Sequence, residues 1–304
     1  MFDFRKITLA DKDWITEKLA VSDRRGCEYC FANNLAWHRL ADTVITEHDG
    51  FYICCSFEEG IPVFTFPTGV TTEERNRDRF FKLFSELEKF TDYQGKPFVL
   101  CSVQNDEVIW LKEYYKNRIS IKPSENGFDY IYETEALTKL EGKKFHGKRN
   151  HIKRFKDNNW SYEPITPEHF DECIRYAVDI YNNSEKYDGF SAVVEQYALN
   201  TFFSNYEYLG LKGGILRVDG KMAGFTIGEP LNSDTFDIHI EKADPSIQGA
   251  YPTLFNEFIS HEAQGLRYIN REEDLGLEGL RKSKLSYHPV FLLEKNYVSF
   301  SKEV

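Results

Sequence analysis

Two Asp-Gly pairs, Asp49-Gly50 and Asp219-Gly220, restrict this chain more than any other feature. Each sits between runs of apolar and β-branched residues: 43–46 and 51–57 around the first, 214–218 and 222–227 around the second. Tight two-residue hairpins need positive φ at both central positions, which Asp-Gly tolerates, so each pair predicts an antiparallel hairpin. The same order follows both hairpins: strand, helix, strand, helix, strand. A hairpin followed by alternating strands and helices implies a mixed α/β sheet. A chain of 304 residues has room for two such domains. The expected boundaries are 1–136 and 157–304, with 137–156 as a basic connector.

The expected helices carry apolar residues at three- and four-residue spacing. One covers Glu73 to Phe90 through Phe80, Phe81, Phe84, Leu87 and Phe90; others cover Pro167 to Tyr181, Tyr251 to Ala263 and Leu277 to Leu285. Val290 to Leu293 and Tyr297 to Phe300 are expected to close the chain as a strand pair. Hydrophobic residues at 41% and aromatics at 15% supply the cores and exclude global disorder. A net charge of −11 argues against coating nucleic acid through overall charge. No apolar run reaches the roughly 18 to 20 residues that span a bilayer. The N-terminal residues lack the basic-then-apolar order of a signal peptide. A soluble, cytoplasmic protein is expected, with no transmembrane segment. Its oligomeric state is left open.

In that setting the six cysteines read as reduced thiols. Cys27-Glu-Tyr-Cys30 has CxxC spacing but no second pair of well-spaced ligands, so no residue is assigned to a metal. Cys54, Cys55 and Cys101 fall in apolar strand-like runs and read as core. The connector holds eight Lys or Arg in Lys139 to Lys156 against one Glu. Lys143, Lys144, Lys148, Arg149, Lys153 and Arg154 form either a solvated helix face or an arm for phosphates, nucleic acid or lipid headgroups. Phe145, Ile152 and Phe155 would pack its other side.

Chemistry is expected in two places. Along Phe236 to Glu241, strict alternation would put Asp237, His239 and Glu241 on one face, as a proton relay or as a solvent-facing edge. The loop after it holds Gln248 and Gly249 before a helix start, where free N–H groups bind anions or polarise a carbonyl. The second place is Tyr268 to Pro289: a strand into Asn270 and Arg271, an acidic turn, then a short helix with Arg281, Lys282 and Lys284, closed by Tyr287.

This stretch, NREEDLGLEGLRKSKLSYHP, resembles the catalytic domain of bacterial phosphatidylglycerol lysyltransferases and their soluble relatives. The KRNHIKRF segment is similar to their basic linker. The element order resembles a tandem pair of GNAT-type acyltransferase domains, each a mixed, mostly antiparallel sheet flanked by helices. The resemblance implies transfer of an aminoacyl group, from aminoacyl-tRNA, to an amine or hydroxyl acceptor such as a lipid or peptide. Acyl-CoA is the donor of ordinary GNAT enzymes, but Ser246-Ile-Gln-Gly-Ala-Tyr is poorer in Gly and Arg than their pyrophosphate loop. No cofactor beyond the donor is implied.

On this reading Asp237, His239 or Glu241 is the base. Tyr287 is a general acid or a half-buried aromatic. Arg271 contacts a phosphate or pairs with Asp274, which also suits the N-cap of the following helix. Lys282 and Lys284 steady an oxyanion or a tRNA phosphate, and Arg281 and Lys284 share a cationic edge while Leu277, Leu280 and Tyr287 face the core. Two alternatives stand beside this reading: a non-catalytic module for an anionic lipid or metabolite, and an acyl-CoA-dependent N-acetyltransferase.

Overall fold

The structure is a computed structural model that describes residues 2–182 and 189–301. Its strands are β1 Val44–His48, β2 Phe51–Glu58, β3 Ile61–Thr65, β4 Val99–Val103, β5 Ile119–Pro123, β6 Asp129–Glu133, β7 Trp160–Pro164, β8 Lys212–Val218, β9 Lys221–Pro230, β10 Thr235–Ala243, β11 Tyr268–Asn270, β12 Phe291–Leu293 and β13 Asn296–Phe300. Its helices are α1 Lys12–Ser22, α2 Phe31–Trp37, α3 Arg77–Tyr93, α4 Asn105–Tyr115, α5 Thr134–Lys139, α6 His146–Phe155, α7 Phe170–Asn182, α8 Gly189–Ser204, α9 Tyr206–Leu209, α10 Ala250–Glu262 and α11 Glu278–Leu285.

Both Asp-Gly pairs turn hairpins as their chemistry requires. Asp49 and Gly50 have φ of 49° and 84°, Asp219 and Gly220 have 50° and 74°, and the flanking pairs are His48 with Phe51 and Val218 with Lys221. A third tight turn at Glu59-Gly60 joins β2 to β3, with Glu58 opposite Ile61. Glu is uncommon with positive φ, which hides this turn in the sequence.

The first compact unit holds 1–129, 273–276 and 293–304. Its sheet runs β1-β2-β3-β4-β13-β5, with β3 and β4 parallel and the other neighbours antiparallel. Phe80, Phe84 and Leu87 of α3 are buried as the spacing predicts, against Phe51, Phe66, Phe98 and Trp110. Phe300 of β13 lies 4.6 Å from the Phe98 ring and 4.9 Å from Tyr115, so the core includes a strand about 200 positions further along the chain.

The second unit holds 130–272 and 277–292. Its sheet runs β12-β6-β11-β10-β9-β8-β7, with β10 and β11 parallel. Phe236, Phe255, Phe258, Ile269 and Tyr287 form its main core. Each sheet is mixed and mostly antiparallel, as expected. In each, the parallel strand (β4 or β11) also pairs with a strand from outside its own hairpin-containing half: β13 beside β4, β6 beside β11.

That exchange changes the expected boundaries. The chain passes between units after 129, 272, 276 and 292, not once through a connector. Residues 137–156 form α5 and α6 of the second unit, and Phe145, Ile152 and Phe155 are buried there as expected. The expected closing strand pair is absent: β12 edges one sheet and β13 is interior to the other. Short apolar runs do not say which partner they will take. β5 and β7, with Ile-Ser-Ile and Trp-Ser-Tyr alternation, went unassigned for the same reason.

Candidate active site

β10 and β11 pair only over Thr235–Asp237 and Tyr268–Asn270. Beyond this the strands separate: β10 continues to Ala243, while the chain leaves β11 at Arg271. A bulge between Ile238 and Ile240 bends β10 at this point. The carboxyl ends of neighbouring parallel strands are where α/β sheets open to ligands. Two polar contacts cross the opening. Arg271 Nη2 donates to Glu241 Oε2 at 2.9 Å, and His239 Nδ1 lies 3.1 Å from Glu272 Oε1.

Arg271 is buried between aromatic rings, 4.2 Å from the Phe255 centroid and 4.8 Å from that of Tyr287. Rings so placed favour a desolvated guanidinium. Lys284 Nζ donates to the Arg271 carbonyl at 2.5 Å, and the Tyr132 hydroxyl donates to the Lys284 carbonyl at 2.8 Å, which anchors α11 to the start of the turn. One arm of Arg271 remains: Nη1 is buried with no hydrogen-bond partner among the described residues. A buried donor in this state is rare and marks a place for an oxygen atom.

Lys148 reaches the same place from α6. Its Nζ is 3.6 Å from the Tyr287 ring centroid and 2.7 Å from Ser286 Oγ. Burial pushes its ammonium down to about 8, helped by Arg271 and partly offset by Glu241. Between about pH 8 and the usual lysine pKa, the folded chain therefore binds fewer protons than the unfolded one. The burial penalty is fully present below pH 8 and is relieved as pH rises above it. In 13C NMR of the reductively methylated protein, one lysine resonance is expected to titrate near 8 and to vanish in Lys148→Met; a resonance titrating with the bulk lysines would refute this. Burial also raises the Tyr287 phenol, against the pull of Arg271, so it stays protonated at neutral pH.

His239 occupies a second cluster. Its ring is fully buried, stacked on Phe202 at 5.4 Å, with Glu229 Oε1 3.1 Å from Nε2 and Asp237 Oδ2 3.6 Å from Nδ1. With acceptor oxygens at both ring nitrogens, His239 presents no open nitrogen to an incoming amine or hydroxyl.

Several expectations change. Asp237, His239 and Glu241 do not line one simple face, because the bulge breaks the alternation and β10 is buried along nearly its whole length. Asp237 and His239 join one cluster, and Glu241 joins Arg271. Asp274 does not cap α11: Leu277 is the N-cap, and Asp274 Oδ1 accepts from Gly276 N–H at 2.8 Å. Lys284 is buried while Leu277 and Leu285 face out, so α11 is turned away from the expected orientation, and Arg281 and Lys284 form no exposed edge. Lys282 is exposed and outside the cluster.

Gln248 is exposed, and Gly249 does not open an anion site. Gly249 starts α10 at φ +85°, and a Cβ there would lie 2.3 Å from the His151 carbonyl oxygen of α6. On that side Gly249 packs against α6. Gly249→Ala is expected to cost about 3 kcal/mol, from the left-handed backbone plus overpacking. Gly142→Ala, with similar φ and open space around it, should cost only about 1 kcal/mol. Urea midpoints compare the two, and equal losses would refute the contact argument.

Of the basic segment, Lys143, Lys144, Lys153 and Arg154 are exposed, while Arg149 donates to the Leu140 and Gly142 carbonyls and closes α5. A concavity of about 400 Å3 is lined by Lys139, Arg149, Lys153 and Lys156, away from the β10–β11 opening. Glu229, Glu272, Phe255 and Tyr132 were missed as site residues. Glu229 had a readable signal, lying on the strand paired to Asp237.

The chain matches the phosphatidylglycerol lysyltransferase C-terminal family over residues 19–299. It belongs to that family. The family is one of aminoacyltransferases. A conserved protein of unknown function from Bacteroides thetaiotaomicron VPI-5482 is 38% identical, with a TM-score of 0.91 over 99% of this chain and 100% of that one. L-PGS from Bacillus licheniformis is 16% identical, with a TM-score of 0.66 over 98% and 93%. A tandem GNAT protein from the clavulanic acid biosynthesis pathway is 11% identical, with a TM-score of 0.52 over the full length of both chains. The last two establish the fold: tandem GNAT-like domains. Among the described residues, no helix is long and apolar enough to cross a membrane.

Proposed function

We propose that this chain is an aminoacyltransferase that moves an aminoacyl group from aminoacyl-tRNA to an amine or hydroxyl acceptor. The observation that carries this reading is the buried Arg271 Nη1, without a protein partner among the described residues, at the opening where Glu241 also sits. Attack on an ester carbonyl develops negative charge on its oxygen, and a preorganised donor there lowers the barrier. Arg271 supplies that donor, with Lys148 adding positive charge nearby. Glu241 takes the proton from the attacking group. Tyr287, protonated, donates to the leaving ribose oxygen. Bonding is conserved: the ester C–O bond breaks as the new C–N or C–O bond forms, and the proton passes from acceptor to leaving oxygen.

The loop before α10 is poor in Gly and Arg, and its Gly249 is taken up by packing on α6, which disfavours the pyrophosphate of acyl-CoA. The exposed Lys143, Lys144, Lys153 and Arg154 suit a tRNA backbone or an anionic acceptor headgroup. The test incubates the protein with charged tRNAs, amine or phospholipid acceptors, and separately with acyl-CoAs. Transfer from aminoacyl-tRNA that weakens with salt supports the reading. Transfer from acyl-CoA alone would replace it with the N-acetyltransferase reading, and ligand binding with no transfer from any donor would favour a binding module.

A further inference from the structure

We propose that Asp237, His239 and Glu272 bind a divalent transition-metal ion, Zn2+ or Mn2+, with Glu229 orienting the imidazole. Three donor atoms converge here: His239 Nδ1, a carboxylate oxygen of Asp237 and one of Glu272, all within 4.8 Å of one another. Nδ1 is 3.6 Å from Asp237 Oδ2 and 3.1 Å from Glu272 Oε1. In a tetrahedral site with bonds of about 2.0–2.2 Å, ligand atoms stand roughly 3.3–3.5 Å apart. The two measured edges bracket that spacing.

An independent observation concerns the far side of the ring. Glu229 Oε1 lies 3.1 Å from Nε2. A carboxylate there accepts the Nε2 proton and leaves the Nδ1 lone pair directed at Asp237 and Glu272. This is the outer partner that metal-bound imidazoles have. The ring is clamped by Phe202, stacked at 11°, so the donor does not swing away. Three carboxylates surround the imidazole, and Asp237 is fully buried. A mixed imidazole and carboxylate set suits zinc or manganese better than magnesium or calcium. The spacing of these residues in sequence, two on β10 and one 33 positions later, follows no common metal motif, so it is invisible without the fold.

The experiment uses the full chain, stripped with chelator and dialysed against Zn2+, Mn2+ or Mg2+. Metal analysis should find about one equivalent of Zn2+ or Mn2+ and little Mg2+. Cobalt substitution should give visible d–d absorption that zinc quenches. Metal should raise Tm by about 5 °C or more. Glu229→Gln should weaken affinity by about 10- to 100-fold while retaining the site. Asp237→Asn should abolish binding. Glu86→Gln, at a carboxylate on the first unit, should leave binding unchanged. A stripped wild-type protein that is folded yet binds none of the ions would overturn the proposal. So would binding that survives Asp237→Asn, or affinity that Glu229→Gln leaves unchanged. In either case the cluster is a hydrogen-bonded imidazolium only. None of these readouts depends on transferase activity.

Discussion

Lys295→Met is expected to destabilise the protein by about 3–5 kcal/mol, the loss typical of a buried charge network stripped of one partner. Lys295 is almost fully buried in the first unit. Its Nζ is 2.7 Å from Asp129 Oδ1, 2.7 Å from Glu28 Oε2 and 3.2 Å from Glu273 Oε1, and the Cys27 N–H donates to Asp129 Oδ2 at 2.9 Å. Burial alone would lower the ammonium pKa; Asp129, with Cys27, Glu28 and Glu273, outweighs it and holds the value well above the ordinary one. A group raised on folding contributes fully below its unfolded pKa and loses that contribution only as pH passes its folded value. The deficit of the variant should therefore be level between pH 7 and about 10. Urea denaturation at pH 7 and pH 9 measures both the loss and its level course. A loss below about 1 kcal/mol at pH 7 would show that the network contributes no net stability.

Glu241→Gln is expected to lower kcat by about 10²- to 10⁴-fold, the usual contribution of a positioned general base. That is about 3–5 kcal/mol of barrier. The substitution is chosen because glutamine keeps an acceptor for Arg271 Nη2 and nearly the same volume, so the ion pair becomes a hydrogen bond without leaving a cavity. KM for the aminoacyl donor should change little, because the lost function acts on the acceptor's proton. A thermal melt and circular dichroism separate this from unfolding. If a folded Glu241→Gln protein turns over at the wild-type rate, Glu241 is not the base, whatever the donor proves to be.

Much of the fold is legible in the sequence because its signals are local. Two Asp-Gly turns, the phenylalanine stripe of α3 and the apolar side of α6 each depend on residues within a few positions. Their order implies two mixed α/β sheets, and its resemblance to the GNAT-type order supplies the tandem architecture. The site is legible only in part. Arg271 and Glu241 were both identified, but their pairing needs β10 and β11 side by side. Lys148 was placed among phosphate-binding cations, and only the packing of α6 against Tyr287 gives it a separate environment. The bulge at His239 defeated the alternation argument, since one extra residue in a strand redirects every side chain beyond it. Tyr287 is buried as read, but Leu277 is exposed and Lys284 is buried, because in so short a window the apolar residues outweigh one lysine. No local pattern announces that an ammonium will hold a carbonyl thirteen residues away.

The strand exchange has a consequence for how the chain is made. β13 sits between β4 and β5, and its Asn296 pairs with Pro123, 173 positions earlier. At roughly 5–20 residues per second, a ribosome takes roughly 9–35 s to cover that interval. Throughout it, β4 and β5 have emerged with open edges and no neighbour to join them. The core of the first unit thus closes only once β13 has been made, and a stop ahead of β13 would be felt first as a failure of strands already made. Such edges are where a nascent chain calls on chaperones.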